Sequence, residues 1–307
     1  MSPQIAICVV TYNSADLIAD LVASLPAGAA GTDWDLVIAD NASADATLDE
    51  VRRHAPHATI IETGGNLGYA AGVNAAIRAA GPRDAYLILN ADVRLARGCV
   101  ATLFAALGPH VGIAVPRLHD AKGDLILSMR REPTLLRAWA DALVGAERAG
   151  RWKGLGEVVA DPVPYEEGRA TDWAEGSTQL ISAECWRRVG PWDESFFLYS
   201  EETDFNLRAR DAGLGAWYEP SARAQHLEGG SAGSPRQWAL LVANRVRLYG
   251  KRHGAVKSAT FWAATVARET TRAALGKATS RVALRSLLSA PRLQAPRDER
   301  WLISADR

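Results

Sequence analysis

The chain has 307 residues, 35 Lys+Arg against 35 Asp+Glu, and three cysteines. That length can bury a large core and favours one large domain with an appendage over two equal domains. The cysteines Cys8, Cys99 and Cys185 are odd in number and far apart, which argues against a disulfide framework and for a reducing cytoplasm.

The opening MSPQIAICVV lacks a basic leader and runs straight into a strand-like stretch, so no secretory signal is expected. No apolar run approaches the roughly 18–20 residues of a membrane-spanning helix. Ile5–Val10 reads as a strand, and Ser14–Leu25 then sets Leu17, Ile18, Leu21, Val22 and Leu25 on one helical face. Leu36–Ala39 is the second strand, with Ser43 as N-cap of a helix to about His54. Thr59–Ile61 is the third. Gly64–Gly72 is a glycine-rich turn opening into a helix to about Ala80, and Tyr86–Leu89 is the fourth strand. This alternation predicts a doubly wound α/β half over residues 1–116.

Across 117–235 the pattern loosens. Val111–Val115 leads into it as a buried strand, and Asp120–Asp124 reads as a hairpin turn. Residues 133–170 show no clear period and predict a mobile excursion or lid. Order returns with a strand at Leu180–Ser182, a short helix at Ala183–Val189, a helix from Glu202 to Ala212 and a strand at Ala216–Tyr218. Residues 236–307 hold 15 Lys+Arg and 4 Asp+Glu, a net of +11, so residues 1–235, with 20 and 31, carry −11. Arg245, Arg247, Lys251 and Arg252, followed by Phe261 and Trp262, read as a basic helical tail with possible affinity for a membrane surface. A solvated helix facing the domain is the alternative, and nucleic acid is not expected as a partner.

Ligands of open α/β sheets bind beyond the carboxyl ends of the strands, where Thr11, Tyr12, Asn13, Asp40, Asn41, Asn66, Asn90 and Asp92 fall. Each such segment alone could be no more than caps and turns. In Asn66–Asn74, glycines such as Gly68 allow backbone to approach a sugar or diphosphate, but G-x-G-x-x-G is lacking. Asp92 ends YLILNAD, where a carboxylate could hold a divalent ion against a leaving diphosphate. Glu201, Glu202 and Asp204 crowd the start of an amphipathic helix, more acid than the helix dipole requires. Mutual repulsion would raise their proton affinity, as a general base needs.

VVTYNS, DNASAD, GGNLGYAAGVN, LNAD and FFLYSEETDFNLRAR, in this order over residues 4–231, resemble the inverting GT-A glycosyltransferases of family 2, in their rhamnosyltransferase-like branch. The resemblance implies a GT-A-like, mostly parallel sheet with a C-terminal helical appendage. It implies a pyrimidine nucleotide-sugar donor, dTDP-rhamnose with a UDP-sugar as rival, and a saccharide or lipid-linked saccharide acceptor. Asp40 would meet the N3–H of the base, and Asn66 and Asn74 would lie beside the donor. Asp92 and His226 would hold Mn2+ or Mg2+, although Asn-Ala-Asp replaces the usual pair of acids. The family's base is usually the second acid, hence Glu202, with Glu201 as the alternative; Asp204 would orient Arg208. Trp173, Glu175 and Gly176 match the acceptor-side segment, with Ser-Thr-Gln at 177–179 where the family is small and apolar. Trp173 and Trp192 could stack on sugars or pack in the core. The chain would then act at the inner face of the cell membrane. A sugar-1-phosphate nucleotidyltransferase would need a glycine- and arginine-rich loop after the first strand, which VVTYNSAD lacks; a catalytically silent membrane-associated subunit is the non-enzyme rival.

Overall fold

The computed structural model describes residues 2–152, 154–227 and 234–289. Its first half runs β1 (Gln4–Thr11), α1 (Ala15–Gly28), β2 (Asp33–Asp40), α2 (Thr47–His54), β3 (Thr59–Glu62), α3 (Tyr69–Ala80), β4 (Ala85–Asn90), β5 (Val93–Leu95) and α4 (Cys99–Ala106). The second half continues β6 (Val111–His119), β7 (Met129–Arg130), α5 (Leu135–Val144), α6 (Ala146–Arg151), β8 (Arg169–Thr171), β9 (Trp173–Ala174), β10 (Thr178–Ser182), α7 (Ala183–Val189), α8 (Glu201–Asp211) and β11 (Gly215–His226). Helices α9 (Pro235–Arg252), α10 (Ala255–Ala274) and α11 (Ala278–Leu287) follow.

The main sheet has the order β3-β2-β1-β4-β10-β6-β11-β5, with β8 on β11 and a separate β7–β9 pair. β3, β2, β1 and β4 are parallel, β10 is antiparallel to both its neighbours, and β11 runs parallel to β6. Strict alternation in β1 splits the core. Ile5, Ile7 and Val9 join α1 and Leu36 on one face, while Ala6 and Cys8 meet the alanine-rich α3 on the other. Small residues on both partners let α3 sit close on the sheet, so its N-terminus reaches the carboxyl ends of β1 and β4.

Three expectations need correction. Ser43 caps no helix: α2 starts at Thr47, and the Ser43 backbone and hydroxyl instead donate to Asp40 at 2.9 and 2.6 Å. Residues 133–170 are no loose lid. Thr134 caps α5, Arg131 donates to the carbonyls of Gly156 and Val158, and buried Tyr165 bonds Met129 and Val159. The four tail cations singled out from sequence face the protein. Lys251 meets Asp193 and Asp204 at 2.7 Å each, Arg252 meets Asp211 at 2.6 Å, Arg245 pairs with Asp141 and Glu157, and Arg247 donates to the Ser195 carbonyl. Arg245, Lys251 and Arg252 thus answer part of the negative excess of the preceding residues. The stretch after Leu227 in HLEGGS and the tail beyond residue 289 lie outside the described residues.

Asn244, fully buried in α9, donates to the carbonyls of Leu198 and Tyr199 at 2.9 and 3.2 Å. Asn244→Ala strands both acceptors. It should lower unfolding free energy by about 1–3 kcal/mol, read as a lower urea midpoint at unchanged slope; an unchanged midpoint would show that the loop before α8 does not depend on α9.

Candidate active site

The carboxyl ends of β1, β2 and β4 open on a cleft of about 430 Å³. Thr11, Tyr12, Asn13, Asn41, Asn66, Gly68, Asn90 and Asp92 all line it. Two expected donor residues do not. Asp40 lies beneath, 1% exposed, taking hydrogen bonds from Thr11 Oγ1 at 2.8 Å and from Ser43. It shapes the turn under the cleft, and Asn13 and Ala42 adopt positive φ beside it. Asn74 is equally buried and spends its amide on Trp192, donating to its carbonyl and accepting from its N–H at 2.9 Å each. Gly68 has φ +92°, and a Cβ there would come within 2.4 Å of the Phe197 carbonyl, so only glycine lets this edge close against the 197–199 loop.

Asp92 and His226 meet because β11 runs on past Tyr218 and pairs antiparallel with β5, setting His226 opposite Val93. Its Nε2 lies 3.3 Å from Asp92 Oδ1, and its Nδ1 lies 3.2 Å from Glu175 Oε1. Burial disfavours charge on the ring, but hydrogen bonds and attraction from both carboxylates outweigh it and push the pKa up to about 10. Burial likewise opposes ionisation of Glu175, yet the His226 partnership holds its carboxyl below the usual range. Without a metal, the trio is an imidazolium held by two carboxylates.

The same atoms suit a divalent cation. Oxygen and nitrogen donors at right angles on one such ion lie about 3 Å apart, close to the Asp92–His226 spacing. Glu175 on the far nitrogen then fixes ring and tautomer. Among the described residues no group of three or more His, Cys, Asp or Glu could hold a metal, so further donors would come from the diphosphate.

A second cavity, of about 190 Å³, adjoins the first through Tyr69, Asn90 and Leu198. Glu175, Gly176, His226, Glu201 and Glu202 line it. The acids of α8 follow Tyr199 and Ser200, two consecutive non-glycine residues at φ +69° and +78°. Such backbone is costly and persists where its surroundings hold it. Glu201 is 3% exposed, and burial followed by repulsion from Glu202 raises its pKa well above the carboxylate range. Burial pushes Glu202 up to about 6, partly offset by hydrogen bonds from the backbone and Thr203. Glu202 also lines a third cavity, of about 400 Å³, with Trp173, Tyr199 and Trp238. Asp204 lines none of the three; it is fully buried, bonded to Arg208 and Lys251 at 2.7 Å each. Trp192 packs in the core between Tyr69 and Phe205.

Several contributors escaped the sequence reading. Tyr69 donates to Asn90 Oδ1 at 2.6 Å, and burial, with the nearby charges of Glu201 and Asp92, keeps its hydroxyl neutral. Gln179 and Asn206, both fully buried, bond each other at 3.0 Å, and Asn206 also holds the Glu202 carbonyl. That pairing accounts for the polar Gln179 on a central strand. Gln237 and Trp238 bring the C-terminal helices to the clefts. Tyr69 and Asn206 sat inside quoted motifs and Gln179 in the polar departure at 177–179; Gln237 and Trp238 carried no local signal.

Residues 6–153 match the family described as Glycosyl transferase family 2. The chain is 28% identical over 247 residues to an N-acetylglucosaminyl-diphospho-decaprenol L-rhamnosyltransferase of Mycobacterium tuberculosis, across 76% of this chain and 79% of that one. It is 28% identical over 216 residues to the low-salt glycan biosynthesis hexosyltransferase Agl10 of Haloferax volcanii, across 68% and 62% of the two chains. Among solved structures, the mannosyltransferase PcManGT from Pyrobaculum calidifontis, in complex with GDP-Man and Mn2+, is similar with a TM-score of 0.58 and 18% identity, over 95% of this chain and 82% of that one. At such identity the likeness shows the fold.

A Cβ on Gly176 would sit 3.2 Å from the Cβ of Glu202, closer than ordinary contacts allow. Gly176→Ala should therefore displace Glu202 and lower kcat about tenfold or more, with donor binding and far-UV circular dichroism unchanged; unaltered kcat would free Glu202 from this constraint. The match of residues 6–153, joined to the shared architecture, identifies a Glycosyl transferase family 2 domain in a chain of GT-A fold that is rhamnosyltransferase-like in sequence.

Proposed function

We propose that the chain moves a sugar from a pyrimidine nucleoside diphosphate to a hydroxyl of a lipid-linked saccharide in cell-surface polysaccharide synthesis, by one inverting displacement assisted by Mn2+ or Mg2+. The observation that carries this reading is the continuity of the clefts: Asp92 lines one, Glu202 the next, and Tyr69, Asn90 and Leu198 line both. The M. tuberculosis relative is named for rhamnosyl transfer to a diphospho-decaprenol-linked sugar, which supports dTDP-rhamnose as donor and a lipid diphosphate acceptor. Mn2+ in the PcManGT complex supports the cation.

On this reading Asp92 and His226 would hold the ion, which supplies positive charge to the departing diphosphate. Asn66, Gly68 and Asn41 border the donor, and Asp40 keeps Thr11 and the 41–44 turn in place beneath it. Glu202 takes the acceptor proton as the hydroxyl attacks. Its raised pKa suits a base working near neutrality. Glu201, more deeply buried, holds its proton more tightly than Glu202. A single attack inverts the anomeric centre and leaves no covalent sugar on the protein. A lipid-linked acceptor requires work at the cytoplasmic membrane face; no helix among the described residues is long and apolar enough to cross a membrane.

Transfer from dTDP-rhamnose and from UDP-sugars to a synthetic lipid diphosphate saccharide tests the reading. Asp92→Ala should abolish transfer and metal-dependent nucleotide binding. Glu202→Gln should keep donor binding and lose about 10²–10⁴-fold in kcat. Wild-type rate should fall as pH drops through about 6, where Glu202 takes up its proton; a flat profile together with full activity of Glu202→Gln would remove Glu202 from the role of base.

A further inference from the structure

Helix α5 carries an apolar stripe that nothing in the described fold covers. Leu136, Trp139 and Leu143, at i, i+3 and i+7, are 64%, 36% and 77% exposed, while the opposite face buries Ala138 and Asp141 against α9 and α10. Leu143 borders a groove of about 330 Å³ with Leu275, itself 76% exposed, and with Arg272 and Lys277. An exposed contiguous apolar surface of this kind marks a contact site.

Its surroundings select the partner. Arg148 and Arg151 on α6 and Lys277 at the start of α11 are exposed, outnumbering the exposed acid Glu147. Residues 270–289 hold Arg272, Lys277, Arg281 and Arg285 and no acidic side chain. Arg272 is held by Glu269, Ser280 and Trp238, and Arg245, Lys251 and Arg252 are spent on carboxylates, but Arg148, Arg151, Lys277, Arg281 and Arg285 are exposed and have no ion pair among the described residues. Apolar side chains ringed by free positive charge complement an anionic bilayer surface, the one seeking acyl chains and the other headgroup phosphates.

The stripe also connects to the site. Asp141, Ala146 and Arg268 line both the groove beside Leu143 and the cavity that Glu202 enters. Between them that cavity presents Trp173, Trp238, Leu241 and Leu248. We infer that the α5 stripe, with Leu275 and the cations about it, docks the protein on an anionic membrane, so that a lipid-linked acceptor reaches Glu202 along the Asp141–Arg268 seam. The second clause rests on the proposed transferase reading; the docking surface does not.

Flotation of the full chain with vesicles of phosphatidylglycerol and phosphatidylcholine tests it, against phosphatidylcholine alone. The wild type should float with the anionic vesicles, less so as salt rises. The triple variant Leu136→Ser, Trp139→Ser, Leu143→Ser should bind at least about tenfold more weakly, with metal-dependent donor binding unchanged as proof of folding. A second variant, Arg148→Glu with Lys277→Glu, should weaken binding while leaving the stripe intact. The proposal is overturned if the wild type does not float, if both variants float as it does, or if the triple variant merely splits a dimer seen by light scattering without altering vesicle binding. Flotation needs no donor and no turnover, so failed transfer and failed docking are separate results.

Discussion

The site depends on one imidazole fixed between two carboxylates. His226 reaches Asp92 because β11 pairs with β5, and it is held on its other nitrogen by Glu175, in the segment between β9 and β10 that leads in beside β4. A one-residue slip in the β11–β5 register would turn His226 to the other face of the sheet and leave Asp92 and Glu175 as close, half-buried like charges. Fold and site are therefore coupled at this pairing. The cost of gathering Asp92, Glu175, Glu201 and Glu202 in adjoining cavities is visible in the proton affinity of the last two, raised chiefly by burial and then by repulsion, from Glu202 on Glu201 and from Glu175 on Glu202. Bound cation would relieve the same charge.

The C-terminal helices belong to this economy of charge. Lys251 neutralises Asp204, the acid of α8 that lines none of the three cavities, while Arg252 and Arg245 neutralise Asp211, Asp141 and Glu157. Asn244 meanwhile holds the backbone of Leu198 and Tyr199, at the point where two positive-φ residues turn the chain into α8. Strained backbone of this kind needs such clamps. Residues 236–252 thus act on Glu202 at one remove, through the loop that aims it. Trp238 and Leu241 give the same helix a direct share in the wall of the cavity that Glu202 enters.

Much of the first half of the chain was legible in the residues. Alternating apolar runs and periodic helices announce β1 to β4, and the polar residues at the strand ends fall around one cleft because parallel strands end together. Asp40 and Asn74 lie beneath the cleft rather than in its wall, because Asn and Asp serve turns and loop clamps as readily as ligands, and only the hydrogen-bond partners distinguish them. Ser43 follows the same pattern, its side chain serving Asp40 rather than a helix end. The long-range features were not legible. The extension of β11 to His226, the Gln179–Asn206 pair and the tail's ion pairs each join residues far apart in sequence, and no local period encodes them. Residues 133–170 read as loose because their order comes from tertiary contacts of Tyr165, Arg131 and Arg245 rather than from helix propensity.

The central claim is that Asp92 and His226 together mark the seat of the cation that faces the leaving diphosphate. Electron–nuclear double resonance of Mn2+ with dTDP, on protein labelled with 15N-histidine, addresses it most directly. The account predicts coupling to one imidazole nitrogen that vanishes in His226→Ala, with 31P coupling from the nucleotide on the same ion. Mn2+ coupled to the nucleotide phosphorus but to no histidine nitrogen would contradict it.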